Sequence, residues 1–112
     1  MKNITWNEFK NIEMRVGTIV EVEDSSDAIN PAYQIKINFG EKLGIKKSSA
    51  QITDLYSKKD LINKQIIAVV NFSPKQIGRF MSECLITGFY NMDEQVILAT
   101  PDQLIENGAL LA

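Results

Sequence analysis

Histidine is absent from this chain of 112 residues, and a single cysteine, Cys84, is present. Without histidine there is no His-dependent nucleophilic triad, no His-metal site and no imidazole pH switch. One cysteine excludes zinc ribbons and intrachain disulfides. Flanked by Glu83, Leu85 and Ile86, and with no base nearby to activate it, Cys84 reads as a packed small residue rather than a nucleophile. Long apolar runs are missing as well. The longest uninterrupted aliphatic stretch is Ile66 to Val70, and the opening MKNITWNEFKNI is polar where an export signal needs its apolar run. A reduced, cytoplasmic protein without membrane insertion is the expectation.

The chain is nevertheless well stocked for one folded domain, at 45% hydrophobic and 23% charged. Its net charge of −2 conceals an uneven distribution. Residues 1–35 hold three bases against six acids. Residues 36–79 hold Lys36, Lys42, Lys46, Lys47, Lys58, Lys59, Lys64, Lys75 and Arg79 against Glu41, Asp54 and Asp60. Residues 80–112 hold five acids and no base. A basic middle between acidic ends points to a surface that could meet a polyanion.

The local patterns are those of short strands. Thr5 and Glu8 have capping-box spacing for an N-terminal helix over about 5–13 that presents Trp6 and Phe9. Val16, Thr18, Val20 and Val22 alternate along a strand from Met14 to Glu23, with Gly17 marking a bulge or a close approach. Asp24 to Pro31 reads as a polar loop. Tyr33, Ile35, Ile37 and Phe39 share one face of a second strand and Lys36 lies on the other. A turn at Gly40 to Gly44 leads to a third strand, about Leu43 to Ser49. Residues 50–62 carry helical spacing, Gln65 to Phe72 is a buried-type strand, and Asn71 to Pro74 is a turn. Glu83 to Phe89 and Gln95 to Ala99 complete the set.

Five or six strands with a helix between the third and fourth predict an all-β fold with short helices, a Greek-key oligonucleotide-binding (OB) barrel over about 14–99. A small β-sandwich and an SH3-like barrel are the alternatives. In an OB barrel the ligand surface is built on strands two and three with the loop after strand four, where Lys36, Lys46, Lys47, Lys75 and Arg79 fall. Phe80 and Met81, in that loop, are the surface aromatic and thioether candidates for stacking a base or holding a peptide side chain. Phe72, where that loop opens, is a further candidate for the peptide site, although as strand residues Phe39 and Phe72 are expected in the core. The helix and the 100–112 extension, through Trp6, Phe9, Leu104, Ile105, Leu110 and Leu111, add more apolar surface than one small barrel covers, which suggests a homodimer.

The runs MRVGTIVEVE at 14–23, KKSSAQIT at 46–53, INKQIIAVVNFSPKQIGRFMSECLITGF at 62–89 and the closing PDQLIENGALLA resemble the tRNA-binding-domain family across essentially the whole chain. Arg15-Val16-Gly17, the Asn71 to Lys75 turn and Ser82 to Gly88 are the most specific pieces. Ser48 to Thr53 is closest to the family's export-chaperone branch. The resemblance implies a homodimeric OB barrel with no catalysis, metal or cofactor. Its implied partners are tRNA, unfolded preproteins and the export motor SecA. Carried over, the nucleic-acid positions are Arg15, Lys36, Ser48, Ser49, Gln51, Asn71, Lys75, Arg79, Ser82 and Glu83, and Gln76 stands where the family often has a second base. Three function classes follow: a tRNA-binding module, an ATP-independent peptide-holding chaperone and an enzyme. The carboxylates Asp54, Asp60 and Glu83 have no nucleophile or metal pattern beside them, which disfavours the last.

Overall fold

The computed structural model describes residues 1–25 and 30–112, so the middle of the expected Asp24 to Pro31 loop lies outside the described residues. Strands β1 (Met14–Asp24), β2 (Tyr33–Asn38), β3 (Ile45–Ala50), β4 (Gln65–Val69) and β7 (Leu85–Ile86) form one sheet in the order β3-β2-β1-β4-β7. Two short hairpins elaborate it, β5 (Lys75–Ile77) with β6 (Phe80–Ser82) and β8 (Gly88–Tyr90) with β9 (Val96–Leu98). The sheet curls until β3 nearly meets β7. The Glu83 amide donates to the Lys47 carbonyl at 2.7 Å across that seam. Helices are short: α1 (Trp6–Lys10) and α2 (Lys58–Leu61), and among the described residues none is long and apolar enough to cross a membrane. Both helices carry reciprocal capping boxes, Thr5 with Glu8 and Ser57 with Asp60, which satisfy the free amides of helices too short to hold themselves. Residues 50–62 are therefore mostly irregular, and the helix occupies only the last part of the expected segment.

The second strand behaves as its alternation requires. Tyr33, Ile35, Ile37 and Phe39 are all buried, and they pack with Ile19, Ile52, Leu61, Ile66, Ala68 and Leu98 in one core. The first strand does not follow its apparent pattern. Its register shifts between Ile19 and Glu21, so Val20 is an extra, exposed residue opposite no partner. Gly17 and Ile19 face the barrel before this bulge and Val22 faces it afterwards, so of the four alternating residues only Val22 packs on the core cluster.

Gly17 itself marks a close approach. A Cβ built there would stand 2.5 Å from Ile37 Cγ2 and 2.7 Å from Phe39 Cδ1, both on fully buried side chains with no room to withdraw. Gly17→Ala is expected to destabilise the protein by about 1–3 kcal/mol through overpacking, measured as a fall in the urea midpoint at constant m.

The barrel's last layer is the C-terminal tail. The first part of β1 has no β2 partner, and residues 108–111 take that edge instead: the Val16 amide donates to the Ala109 carbonyl, the Gly108 amide to Val16 and the Leu111 amide to Met14. Asn107 anchors the tail, accepting from Thr18 Oγ1 at 2.7 Å. The tail thus docks on its own barrel through backbone hydrogen bonds.

Candidate nucleic-acid interface

On the outer side of β2 and β3 the register sets Glu21 beside Lys36 and Lys36 beside Lys47, with Glu23, Gln34 and Ser49 in the next row. The bulge at Val20 is what brings Glu21 opposite Lys36. Their side chains form an ion pair of 2.9 Å, and the hydrogen bond and charge of Glu21 raise the ammonium's pKa above its ordinary value. Lys36 is therefore a cation already partnered. Lys46 lies on the other side of β3, opposite Ile37 in the barrel-facing row, because adjacent residues of a strand point to opposite faces. The two neighbouring lysines do not act as one patch.

The expected loop after the fourth strand is a hairpin. β4 ends at Val69, and residues 75–82 pair across the two-residue Gly78-Arg79 turn, with Gly78 at φ +60° where a tight hairpin favours glycine. Phe80, Ile77, Lys75 and Ser82 occupy the face of this hairpin that lies against β3, and Gln76 with Met81 the opposite face. Phe80 and Met81 accordingly do not line one cleft. Phe80 instead approaches the outer sheet face, where Lys47 Nζ stands 5.3 Å from its ring centroid, a cation–π contact, and it borders a small hollow with Lys36, Gln34 and Glu21. Lys75 and Arg79 are exposed on the same hairpin.

Side chains close the seam between β3 and the hairpin. Glu83 Oε1 accepts from the Lys47 amide at 3.0 Å, and Ser82 Oγ accepts from the Ser49 amide at 3.1 Å while donating to the Cys84 carbonyl. Ser48 is buried and donates to the Ser49 carbonyl. Beside this seam runs a groove of about 360 Å³ lined by Phe72, Lys75, Ile77, Ser82, Cys84 and Leu85. Phe72 is not core: β4 ends before it, and it is 57% exposed. Ile77 and Leu85 are the groove residues that sequence reasoning missed. Apolar residues flanking a Gly-containing dipeptide, Ile77 and Phe80 around Gly78-Arg79, were the available hairpin signal. The expected Glu83 to Phe89 strand is divided into β7 and β8 at Thr87, whose Oγ1 and amide both donate to the Ile67 carbonyl.

Several carried-over positions hold the fold together here. Arg15 makes an ion pair with Glu13 at 2.6 Å and donates to the Gly108 carbonyl at 2.7 Å, fixing the tail. Asn71 accepts from the Glu13 amide and donates to the Asn11 carbonyl, joining the end of α1 to the barrel. Gln51 is exposed on a separate cavity with Thr53, Asp54, Tyr90 and Glu94. Of the expected dimer residues, Trp6, Phe9, Leu110 and Leu111 line one groove of about 560 Å³, and Trp6 is 81% exposed. Leu104 and Ile105 lie elsewhere, where the Gln65 side chain holds the Ile105 backbone in two hydrogen bonds.

Cys84 is buried, and desolvation, followed by the charge of Glu83, pushes its thiol up to about 12. A thiol so rarely ionised at neutral pH is a poor nucleophile. The expected result is negligible labelling by a disulfide reagent at pH 8 in the native protein, and prompt stoichiometric labelling once urea unfolds it. Prompt labelling of the folded chain would overturn this assignment.

A nearly closed five-strand barrel in the order β3-β2-β1-β4-β7, with a helical turn after its third strand and a hairpin before its fifth, defines an OB-type domain. The chain belongs to the tRNA-binding-domain family: residues 14–110 match the family described as "Putative tRNA binding domain". It is similar over 98% of its length to all of the CsaA chaperone protein from Picrophilus torridus, at 55% identity and a TM-score of 0.93. The crystal structure of chaperone CsaA from Bacillus anthracis matches at 39% identity and a TM-score of 0.93, over 99% of this chain and 100% of that one. Among curated proteins, the methionine–tRNA ligase of Pyrococcus furiosus is 29% identical over 97% of this chain. The chain spans 14% of that ligase's length.

Proposed function

We propose that this protein binds tRNA on the outer face of β2 and β3 together with the β5–β6 hairpin, without catalysis. The observation that carries the reading is Lys47 set over the Phe80 ring, with Lys75 on the same hairpin face as Phe80 and Arg79 exposed in the hairpin's turn, on an OB-type barrel in a chain of this family. Lysine and arginine meet the phosphate backbone by releasing counterions, and an aromatic face stacks an unpaired base. The acids Glu21, Glu23 and Glu83 on the same face temper this attraction and favour a folded RNA that offers many weak contacts. In fluorescence anisotropy with a labelled tRNA, the apparent affinity is expected to fall linearly on a log–log plot against salt, with a slope of about −0.7 to −0.9 per phosphate contact. Undetectable or salt-independent binding would sink the proposal.

A second reading is favoured by the groove of Phe72, Ile77 and Leu85, an exposed apolar trough edged by Lys75. It suits an extended apolar segment of an unfolded polypeptide, consistent with the similarity to CsaA chaperones, and implies preproteins and the export motor SecA as partners. Suppression of aggregation of a denatured client without ATP, lost in Phe72→Ser, is its test. The Trp6, Phe9, Leu110 and Leu111 groove supports pairing of two copies, which sedimentation of the native chain measures. A cytoplasmic location accords with both ligands.

A further inference from the structure

The C-terminal tail carries a chemically labile bond that neither reading above uses. Among the asparagines of the chain, only Asn107 is followed by glycine. Glycine has no Cβ to hinder its own amide nitrogen, so an asparagine before it is prone to intramolecular deamidation. Position 108 nevertheless requires glycine. Its φ is +92°, and a Cβ there would stand 2.6 Å from the Phe39 carbonyl oxygen. The fold thus fixes glycine at this place, and the labile bond with it.

The docked tail restrains both reacting groups. Asn107 Oδ1 accepts from Thr18 Oγ1 at 2.7 Å and from Gln65 Nε2 at 3.3 Å, which ties the side-chain amide to β1 and β4. The Gly108 amide donates to the Val16 carbonyl at 2.7 Å, and the Gly108 carbonyl accepts from Arg15 at 2.7 Å. The Asn107 carbonyl packs against the Gly40 backbone, 2.8 Å from where a Cβ of Gly40 would stand. Deamidation needs the Gly108 nitrogen to give up its proton and move onto Asn107 Cγ. That movement breaks the bonds to Val16 and to Thr18 together. Water has access, since a cavity of about 380 Å³ lined by Arg15, Gly40, Lys42 and Asn107 adjoins the side chain.

We propose that Asn107 is a deamidation site guarded by docking of the tail, and that its conversion to isoaspartate releases the tail irreversibly. When local opening frees residues 107–111 from β1, the Gly108 nitrogen bonds to Asn107 Cγ, the Cγ–Nδ2 bond breaks, and the displaced amine takes the amide proton and leaves as ammonia. Water then opens the succinimide ring. Attack at the side-chain carbonyl gives aspartate, and attack at the main-chain carbonyl gives isoaspartate, whose backbone is longer by one methylene. Aspartate keeps an oxygen for Thr18 and Gln65. Isoaspartate displaces Gly108 from Val16, and with it the pairing of Ala109 and Leu111, so Leu110 and Leu111 leave the groove they share with Trp6 and Phe9.

The test is incubation of the full chain at mildly alkaline pH, folded and in urea, with the tail peptide followed by mass spectrometry and isoaspartate identified by electron-transfer fragmentation. Conversion of Asn107 is expected in urea, and at least about tenfold more slowly in the folded chain, where only the open fraction reacts. Thr18→Val and, separately, Arg15→Gln each remove one restraint. Each should speed conversion of the folded chain by about tenfold while leaving the rate in urea unchanged. Hydrogen exchange of the Gly108 and Leu111 amides reads the tail directly. Protection is expected in the parent and in Asn107→Asp, and its loss in the purified isoaspartyl chain. Absence of conversion in urea, equal rates in the folded and unfolded chain, or unchanged rates in both variants overturns the proposal. So does full protection of the tail amides in the isoaspartyl chain.

Discussion

Phe39→Ala should remove about 3–5 kcal/mol of stability, the largest loss expected from any single change in this protein. Phe39 follows β2 directly and ends its buried row, is 1% exposed, and is met from two directions. Gly17 of β1 lies so close that a Cβ there would touch the ring, and Gly108 of the tail approaches the Phe39 carbonyl to within 2.6 Å of where its own Cβ would stand. Removing the ring leaves a cavity that neither close-packed backbone can collapse into without breaking the hydrogen bonds of β1 to β4 or of the tail to β1. A domain of this size has roughly 5–15 kcal/mol in total, so much of the folding free energy rests on this one contact set. The measurement is urea unfolding followed by circular dichroism. Gly17→Ala made in the Phe39→Ala background should cost less than in the parent, because the new methyl enters the vacated space. Strict additivity of the two changes would show that Gly17 and Phe39 are not coupled as described.

The second large effect concerns tRNA. Replacing Lys47, Lys75 and Arg79 together by glutamine removes three cations of the candidate face while leaving its backbone seam intact. Each phosphate contact contributes a salt slope of about −0.9 at most, so three lost contacts weaken binding by roughly 10²–10³ at about 0.1 M salt and make the slope shallower by about 2 to 3. Two controls separate this face from charge in general. Lys46→Gln, on the barrel-facing row, should change affinity little. Glu21→Gln, which frees Lys36 from its ion pair, should strengthen binding and steepen the slope. An unchanged slope in the triple variant would place the RNA on another surface.

How much of this was legible in the residues differs element by element. β2 follows its alternation without deviation, since a strand buried on one side and solvated on the other must show a period of two. The capping boxes of α1 and α2 were likewise written locally, because a cap joins residues three apart. β1 misled. Its valines and threonine alternate cleanly, yet one extra residue at Val20 exchanges the faces midway, and nothing within the strand announces where its partner will skip. The face of Lys46 against Lys47 was decidable from the strand period alone, but which of them looked outward required the register to Lys36 and Ile37. Phe72 looked like core because an apolar strand appeared to run through it. The strand stops at Val69, and the Val70 amide turns to the Glu13 carbonyl instead of continuing the ladder.

By itself, the sequence determined the class of protein: an all-β barrel of the tRNA-binding-domain family, with a basic middle and without the histidine and paired cysteine that much catalysis and metal binding require. Those are properties of composition, short-range periodicity and motif, and they survive without coordinates. Only the tertiary structure decided which charges remain available. Lys36 is answered by Glu21 and Lys58 by Asp24, each across a distance in the chain that local pattern does not encode, while Arg15 is answered by Glu13 two residues away. An electrostatic surface is a sum over neighbours in space. The chain's bases were countable from the start, but the acids beside them were assigned by strand pairing and by a single bulge.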